Sequence, residues 1–139
     1  MAAIGPKDTK PELIVRKLLH TAGFRFRLHR KDLPGKPDLT LPKWNALIEV
    51  QGCFFHSHDC HFVRKRPADN AEFWAAKLDT NIARDARNAE AAAALGWRRL
   101  IVWQCALTGR TRLDRTDLLS RISGWLHGDE KTGEIRGRD

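Results

Sequence analysis

Leu33-Pro34-Gly35-Lys36-Pro37-Asp38-Leu39-Thr40-Leu41-Pro42-Lys43-Trp44-Asn45-Ala46-Leu47-Ile48-Glu49-Val50-Gln51 decides the fold. Pro34-Gly35-Lys36-Pro37 forces an irregular, extended approach to Asp38, because proline disfavours the helical region for the residue before it. Leu39-Thr40-Leu41 and Ala46–Val50 read as two strands joined by a turn at Pro42–Asn45. Strand side chains repeat every second residue, so Glu49 and Gln51 share a face. Asp38 then stands at the start of one strand and Glu49 within the other, two carboxylates on adjacent strands.

Working outward, Thr9-Lys10-Pro11-Glu12 has the spacing of a helix-opening capping box with a tolerated proline in the first turn. Leu13, Ile14, Leu18 and Leu19 give that helix an apolar face, and Gly23 is its expected stop. Phe24, Phe26 and Leu28 alternate with Arg25, Arg27 and His29, the period of a half-buried strand. From Gln51 to Pro67 there is no periodicity. A loop of that length needs a fastener in a small domain. A long helix is expected from about Glu72 to Leu95, ended by Gly96. Trp74, Leu78, Ile82, Ala86, Ala89 and Ala93 lie on one face, with Lys77, Asn81, Arg84 and Asn88 on another. Trp97–Trp103 reads as a central strand. Thr116 is a candidate cap for a last helix carrying Leu118, Leu119, Ile122, Trp125 and Leu126. This order predicts an α/β fold, a mixed sheet with helices packed against it. Residues 9–127 are expected to form a single domain, with 1–8 mobile and 128–139 a frayed tail.

The 139 residues suffice for one core. Lys and Arg number 25 against 17 Asp and Glu, a formal charge of +8. That balance favours a polyanionic partner, nucleic acid before an anionic membrane surface. No apolar run is long enough to span a bilayer, and no signal-peptide core follows Met1, so a cytoplasmic protein without a membrane role is expected. The three cysteines, Cys53, Cys60 and Cys105, cannot all pair. Crowding of Cys53, His56, His58 and Cys60 points to a metal instead.

Phosphodiester hydrolysis needs a Lewis acid on a phosphate oxygen, an activated water and help for the leaving group. Asp38 and Glu49 offer anionic oxygens for Mg²⁺, and the Val50 carbonyl a third. Gln51 can orient a water but cannot accept its proton. His56 is the better proton-transfer group, and Glu12 can orient it or its water, if Glu12 does more than cap its helix. Cys53, His58, Cys60 and Cys105 make a four-ligand zinc set, closed and therefore structural, though spacing leaves His56 and His61 open as the nitrogen ligand. Phe54 and Phe55 are either core or base-stacking wedges, as is Trp74. Arg64 and Lys65 can hold phosphates, and Lys77 and Asn81 face the same partner from the long helix.

These residues resemble the very-short-patch-repair (Vsr-type) DNA mismatch endonucleases. The likeness rests on Asp8–Glu12, Leu33–Asp38, Gly52–Cys60, Glu72-Phe73-Trp74, Arg84–Arg87 and Gly96–Leu107. The resemblance implies a restriction-endonuclease-like fold with a zinc-stabilised loop, and Mg²⁺-dependent nicking 5′ to the T of a T:G mismatch in double-stranded DNA. It assigns zinc to Cys53, His58, Cys60 and Cys105, catalysis to Glu12, Asp38 and His56, and intercalation to Phe54, Phe55 and Trp74. Glu49, Val50 and Gln51 stand where the family usually carries an aromatic, a small residue and a His. A monomer is expected, with repair-protein partners not readable from the chain. The competing readings are a zinc-stabilised, non-catalytic DNA-binding module and a restriction-type nuclease that cuts both strands as a dimer.

Overall fold

The computed structural model describes residues 9–53 and 70–138. The expected mobile segment 1–8 and most of the aperiodic stretch, with the zinc-stabilised loop expected there, lie outside the described residues. Helix α1 spans Lys10–Thr21, and the Thr9 side chain accepts a hydrogen bond from the Glu12 amide at 3.4 Å. Its buried stripe is Glu12, Val15 and Leu19, one helical turn apart. Leu13, expected on that stripe, points out and is 47% exposed.

Strand β1 is shorter than its alternation predicts, Arg27–Leu28 alone. Phe24 and Phe26 pack against the core without joining the ladder. The chain then leaves the sheet at His29, whose φ of 47° is left-handed. Strand β2, Leu39–Leu41, a single 3₁₀ turn at Pro42–Trp44 and β3, Ala46–Gln51, form the expected hairpin. Asn45 supplies the left-handed residue that ends the turn, a conformation asparagine tolerates.

Helix α2, Ala71–Ala94, carries the crossover to β4, Arg98–Trp103, which runs parallel to β3. A single turn, α3 (Gln104–Leu107), and helix α4 (Arg115–His127) lead to β5, Thr132–Ile135, parallel to β4. The five strands lie in the order β1-β2-β3-β4-β5. The architecture is therefore the expected mixed sheet flanked by helices.

The expected frayed tail contains a sheet strand instead. Three contacts hold it: Ile135 is buried, Gly133 lies under the Trp125 ring, and the Trp125 indole donates to the Thr132 carbonyl at 3.1 Å. A Cβ on Gly133 would meet the indole nitrogen at 2.6 Å. The glycine that reads as a breaker is what lets the tryptophan cover the strand.

One sheet face is apolar. Leu39, Leu41, Ala46, Ile48, Leu100 and Val102 pack with Val15 and Leu19 of α1 and with Leu118, Ile122 and Leu126 of α4. The other face carries two smaller apolar clusters, Leu47 with Leu33, Ala92 and Trp97, and Trp103 with Ile101, Cys53 and Cys105. Further along, it carries Glu49 and Arg99. Helix α2 answers this half-polar surface with a half-polar face. Leu78, Asn81 and Ala92 are buried, whereas Ile82 is 45% exposed and Ala86 and Ala93 are exposed. The expected stripe of Trp74, Leu78, Ile82, Ala86, Ala89 and Ala93 is thus rotated, because hydrophobicity alone cannot show that the docking surface is polar.

Leu33 and Gly35 aim the loop toward Asp38. Leu33 is buried under α2, and the Lys36 amide closes a turn onto the Leu33 carbonyl at 3.2 Å. Gly35, at φ 77°, sits where a Cβ would meet the Asn88 side chain at 3.2 Å. A Gly35→Ala variant is expected to lose about 1–3 kcal/mol in chemical denaturation, since strain and crowding add. An unchanged midpoint would show that the loop relaxes freely.

Candidate active site

The carboxyl edge of the parallel strands gathers the titratable groups. Asp38 stands immediately before β2, and its Oδ2 accepts the Val50 amide at 2.7 Å. Glu12, 2% exposed, reaches the same place from α1. His29 enters from the turn after β1, with its Nε2 2.6 Å from Glu12 Oε2. The His29 amide donates to the Asp38 carbonyl at 3.1 Å, which ties the two segments together. Arg16, one turn along α1, donates to Glu12 Oε2 at 3.3 Å. One ligand atom each from Glu12, His29 and Asp38 lie within 4.8 Å of one another.

This donor set fits a divalent cation. Burial pushes the Asp38 carboxyl up from 3.8 to about 7; the Val50 amide opposes the shift, while the charges of Glu12 and Glu49 and a hydrogen bond with Glu12 reinforce it. Two carboxylates held this close in a buried site disfavour joint ionisation, and a cation removes that conflict.

The raised value has a consequence for stability. Between about pH 4 and pH 7 the folded chain holds a proton that the unfolded chain has shed. The contribution of Asp38 is therefore full below the unfolded value and is lost as pH rises through the folded one. Metal-free protein is expected to lose stability across that window, by a few kcal/mol at most. Asp38→Asn should flatten the slope. Parallel parent and variant curves from thermal unfolding would contradict this.

Glu49 does not join the group. Both its oxygens are taken by Arg99, with Nε at 2.8 Å and Nη2 at 3.0 Å. Each side chain of that pair is 13% exposed. Gln51 is buried and donates its amide to Glu49 Oε1 at 3.0 Å. Asp38 therefore has Glu12 beside it, while Glu49, expected as its partner on the adjacent strand, is engaged by Arg99 and Gln51. Strand alternation placed Glu49 on its face correctly but carried no information about Arg99 on the neighbouring strand.

Of the zinc set, Cys53 and Cys105 are described. They are buried in one cluster with Trp103. The register explains this: Gln51 pairs with Trp103, so the residues just beyond each strand end side by side. The Gly137 amide donates to Cys105 Sγ at 3.3 Å. His58 and Cys60 lie outside the described residues, as do His56, Phe54, Phe55, Arg64 and Lys65. On α2, Trp74 is half-buried and meets Phe73 edge-on at 5.4 Å. Phe73 is the more open ring, 60% exposed. Lys77 is exposed. Asn81, expected to face DNA, is buried and accepts from Arg84 Nη2 at 2.8 Å; the inward polar face of α2 claims it.

Sequence reasoning missed His29, Arg99 and Phe73. Phe73 stands in the Glu72-Phe73-Trp74 segment, so its neighbour drew attention from it. Nothing in the spacing marks Arg99. For His29 the only trace is its place directly after the alternating run.

A model of the family described as "DNA mismatch endonuclease Vsr" matches residues 1–62. Type II nicking enzyme V.XorIIP of Xanthomonas oryzae pv. oryzae is 47% identical over 108 residues, covering 78% of this chain and 79% of the relative. DNA mismatch endonuclease Vsr of Escherichia coli strain K12 is 39% identical over 135 residues, covering 97% and 86%. Type II nicking enzyme V.NmeAIP of Neisseria meningitidis is 38% identical over 119 residues, covering 83% and 84%.

Proposed function

This chain belongs to the Vsr family of DNA mismatch endonucleases, and on that premise we propose how its residues nick DNA. The protein is a DNA endonuclease that cuts one strand in mismatch repair. Its substrate is double-stranded DNA carrying a T:G mismatch, cut 5′ to the T. The observation that carries the reading is the convergence of Glu12 and Asp38, with His29, at one strand edge.

Asp38 and Glu12 would hold a divalent cation, Mg²⁺ as the resemblance implies, and the Val50 carbonyl would offer a further oxygen. The cation supplies Lewis-acid stabilisation to charge building on the reacting phosphate. Arg16 keeps the Glu12 carboxylate turned inward. Gln51 orients a water rather than transferring a proton, because an amide does not accept one. His56 carries the proton transfer, since imidazole titrates near neutral pH. Cys53, His58, Cys60 and Cys105 would hold a structural zinc, as the resemblance implies. The mixed sheet and its flanking helices support the restriction-endonuclease-like fold that the resemblance implies.

The DNA face combines aromatic and basic groups. Phe54, Phe55, Trp74 and the exposed Phe73 form the wedge, with Arg64, Lys65 and Lys77 on phosphates. Unstacking costs a few kcal/mol per step and least at a mismatch. Asn81 is left out, because it is buried. Among the described residues no helix is long and apolar enough to cross a membrane. The test is cation removal and return on a T:G duplex. Nicks should appear only when Mg²⁺ is restored; nicking by metal-stripped protein in chelator would contradict the reading.

A further inference from the structure

His29 is not used by the reaction just described, yet it is built into the site. Its ring nitrogen lies 2.6 Å from Glu12 Oε2. Its side chain is 20% exposed while Glu12 is 2% exposed, so the imidazole stands at the mouth over a buried carboxylate. Its backbone takes a φ of 47°, a conformation that costs a non-glycine residue energy. The hydrogen bond that the His29 amide donates to the Asp38 carbonyl holds it there. The chain thus accepts a left-handed residue at a place that brings an imidazole onto Glu12 and within 4.8 Å of an Asp38 oxygen.

We propose that His29 is a direct ligand of the site's cation, so that Glu12, His29 and Asp38 present an oxygen–nitrogen–oxygen set suited to Mn²⁺ and similar transition ions above Mg²⁺. The proposal rests on the nuclease reading above and narrows the metal class of the same site. Mg²⁺ is a hard ion that takes oxygen ligands and keeps several waters. Imidazole suits first-row transition ions, and Mn²⁺ is the one among them that shares the carboxylate and water ligands of Mg²⁺. A carboxylate-only site would leave His29 as a hydrogen-bond partner that orients Glu12. The ligand role instead requires the 2.6 Å contact to open as the cation enters, which needs only rotation of two side chains.

Zinc-loaded protein with Mn²⁺ added is examined by pulsed EPR, and Mn²⁺ and Mg²⁺ binding are measured by calorimetry. The parent should show a ¹⁴N coupling to bound Mn²⁺, absent in His29→Asn. Asparagine tolerates the left-handed backbone, so the variant should fold, and thermal unfolding checks this. The preference for Mn²⁺ over Mg²⁺ should fall at least about tenfold in His29→Asn. Absence of the ¹⁴N coupling in the parent, or an unchanged preference in the variant, overturns the proposal. Asp38→Asn separates the two failures. If it loses both ions while His29→Asn keeps the preference, only the ligand role of His29 fails. If Asp38→Asn binds both ions like the parent, the nuclease metal site itself is wrong.

Discussion

Asp38→Asn is expected to lower single-turnover nicking by at least about two decades, or about 2.7 kcal/mol of barrier. The amide cannot supply the anionic oxygen, yet it preserves shape and can still accept the Val50 amide. The same variant should unfold at higher temperature than metal-free parent near pH 8, because it removes a buried charge conflict. Loss of activity with gain of stability is the signature of a strained functional group rather than a structural one. Glu12→Gln should lose activity comparably. Glu49→Gln should keep most of its metal affinity, because the Glu49 oxygens are engaged by Arg99. Rate against Mg²⁺ concentration for the three variants decides among them: if Glu49→Gln alone needs more Mg²⁺, the cation sits on β3 after all.

Cys105→Ala is expected to lose stoichiometric zinc and at least about 3 kcal/mol of stability, since a structural metal contributes folding energy directly. Cys105 begins the turn after β4 and is buried beside Cys53. On the proposed zinc set, removing the thiol takes away one of the four ligands. Metal analysis and thermal unfolding of the variant should match parent treated with a strong chelator. That match separates zinc loss from the small cost of the lost Gly137 contact. Full zinc content in Cys105→Ala would move the fourth ligand elsewhere, with His61 the next candidate.

The hairpin around Pro42–Asn45, the long crossover helix and the parallel strand after Gly96 were legible because local periodicity and turn residues specify them. Asp38 was legible for the same reason, framed by prolines at the start of a strand. Other features depend on what lies across the sheet. Strand alternation gives the face of Glu49 but not its ion pair, since Arg99 is 50 residues away in sequence. Asn81 was read as exposed because a polar residue on an amphipathic helix usually is, yet α2 docks on a half-polar surface. Strand β5 was read as tail because its glycine conceals a tertiary contact with Trp125. His29 joins Glu12 across a separation of 17 residues through a left-handed turn that no periodicity announces.

The central claim is single-strand cleavage at a mismatch by the cation site at Glu12 and Asp38. It is tested most directly with a duplex labelled on both strands and carrying one T:G pair, beside its T:A counterpart, resolved on a denaturing gel. The account predicts one Mg²⁺-dependent nick 5′ to the T, an intact G strand, slower cutting of the T:A duplex and no product from Asp38→Asn. Cleavage of both strands, equal cutting of the two duplexes, or an active Asp38→Asn would contradict it.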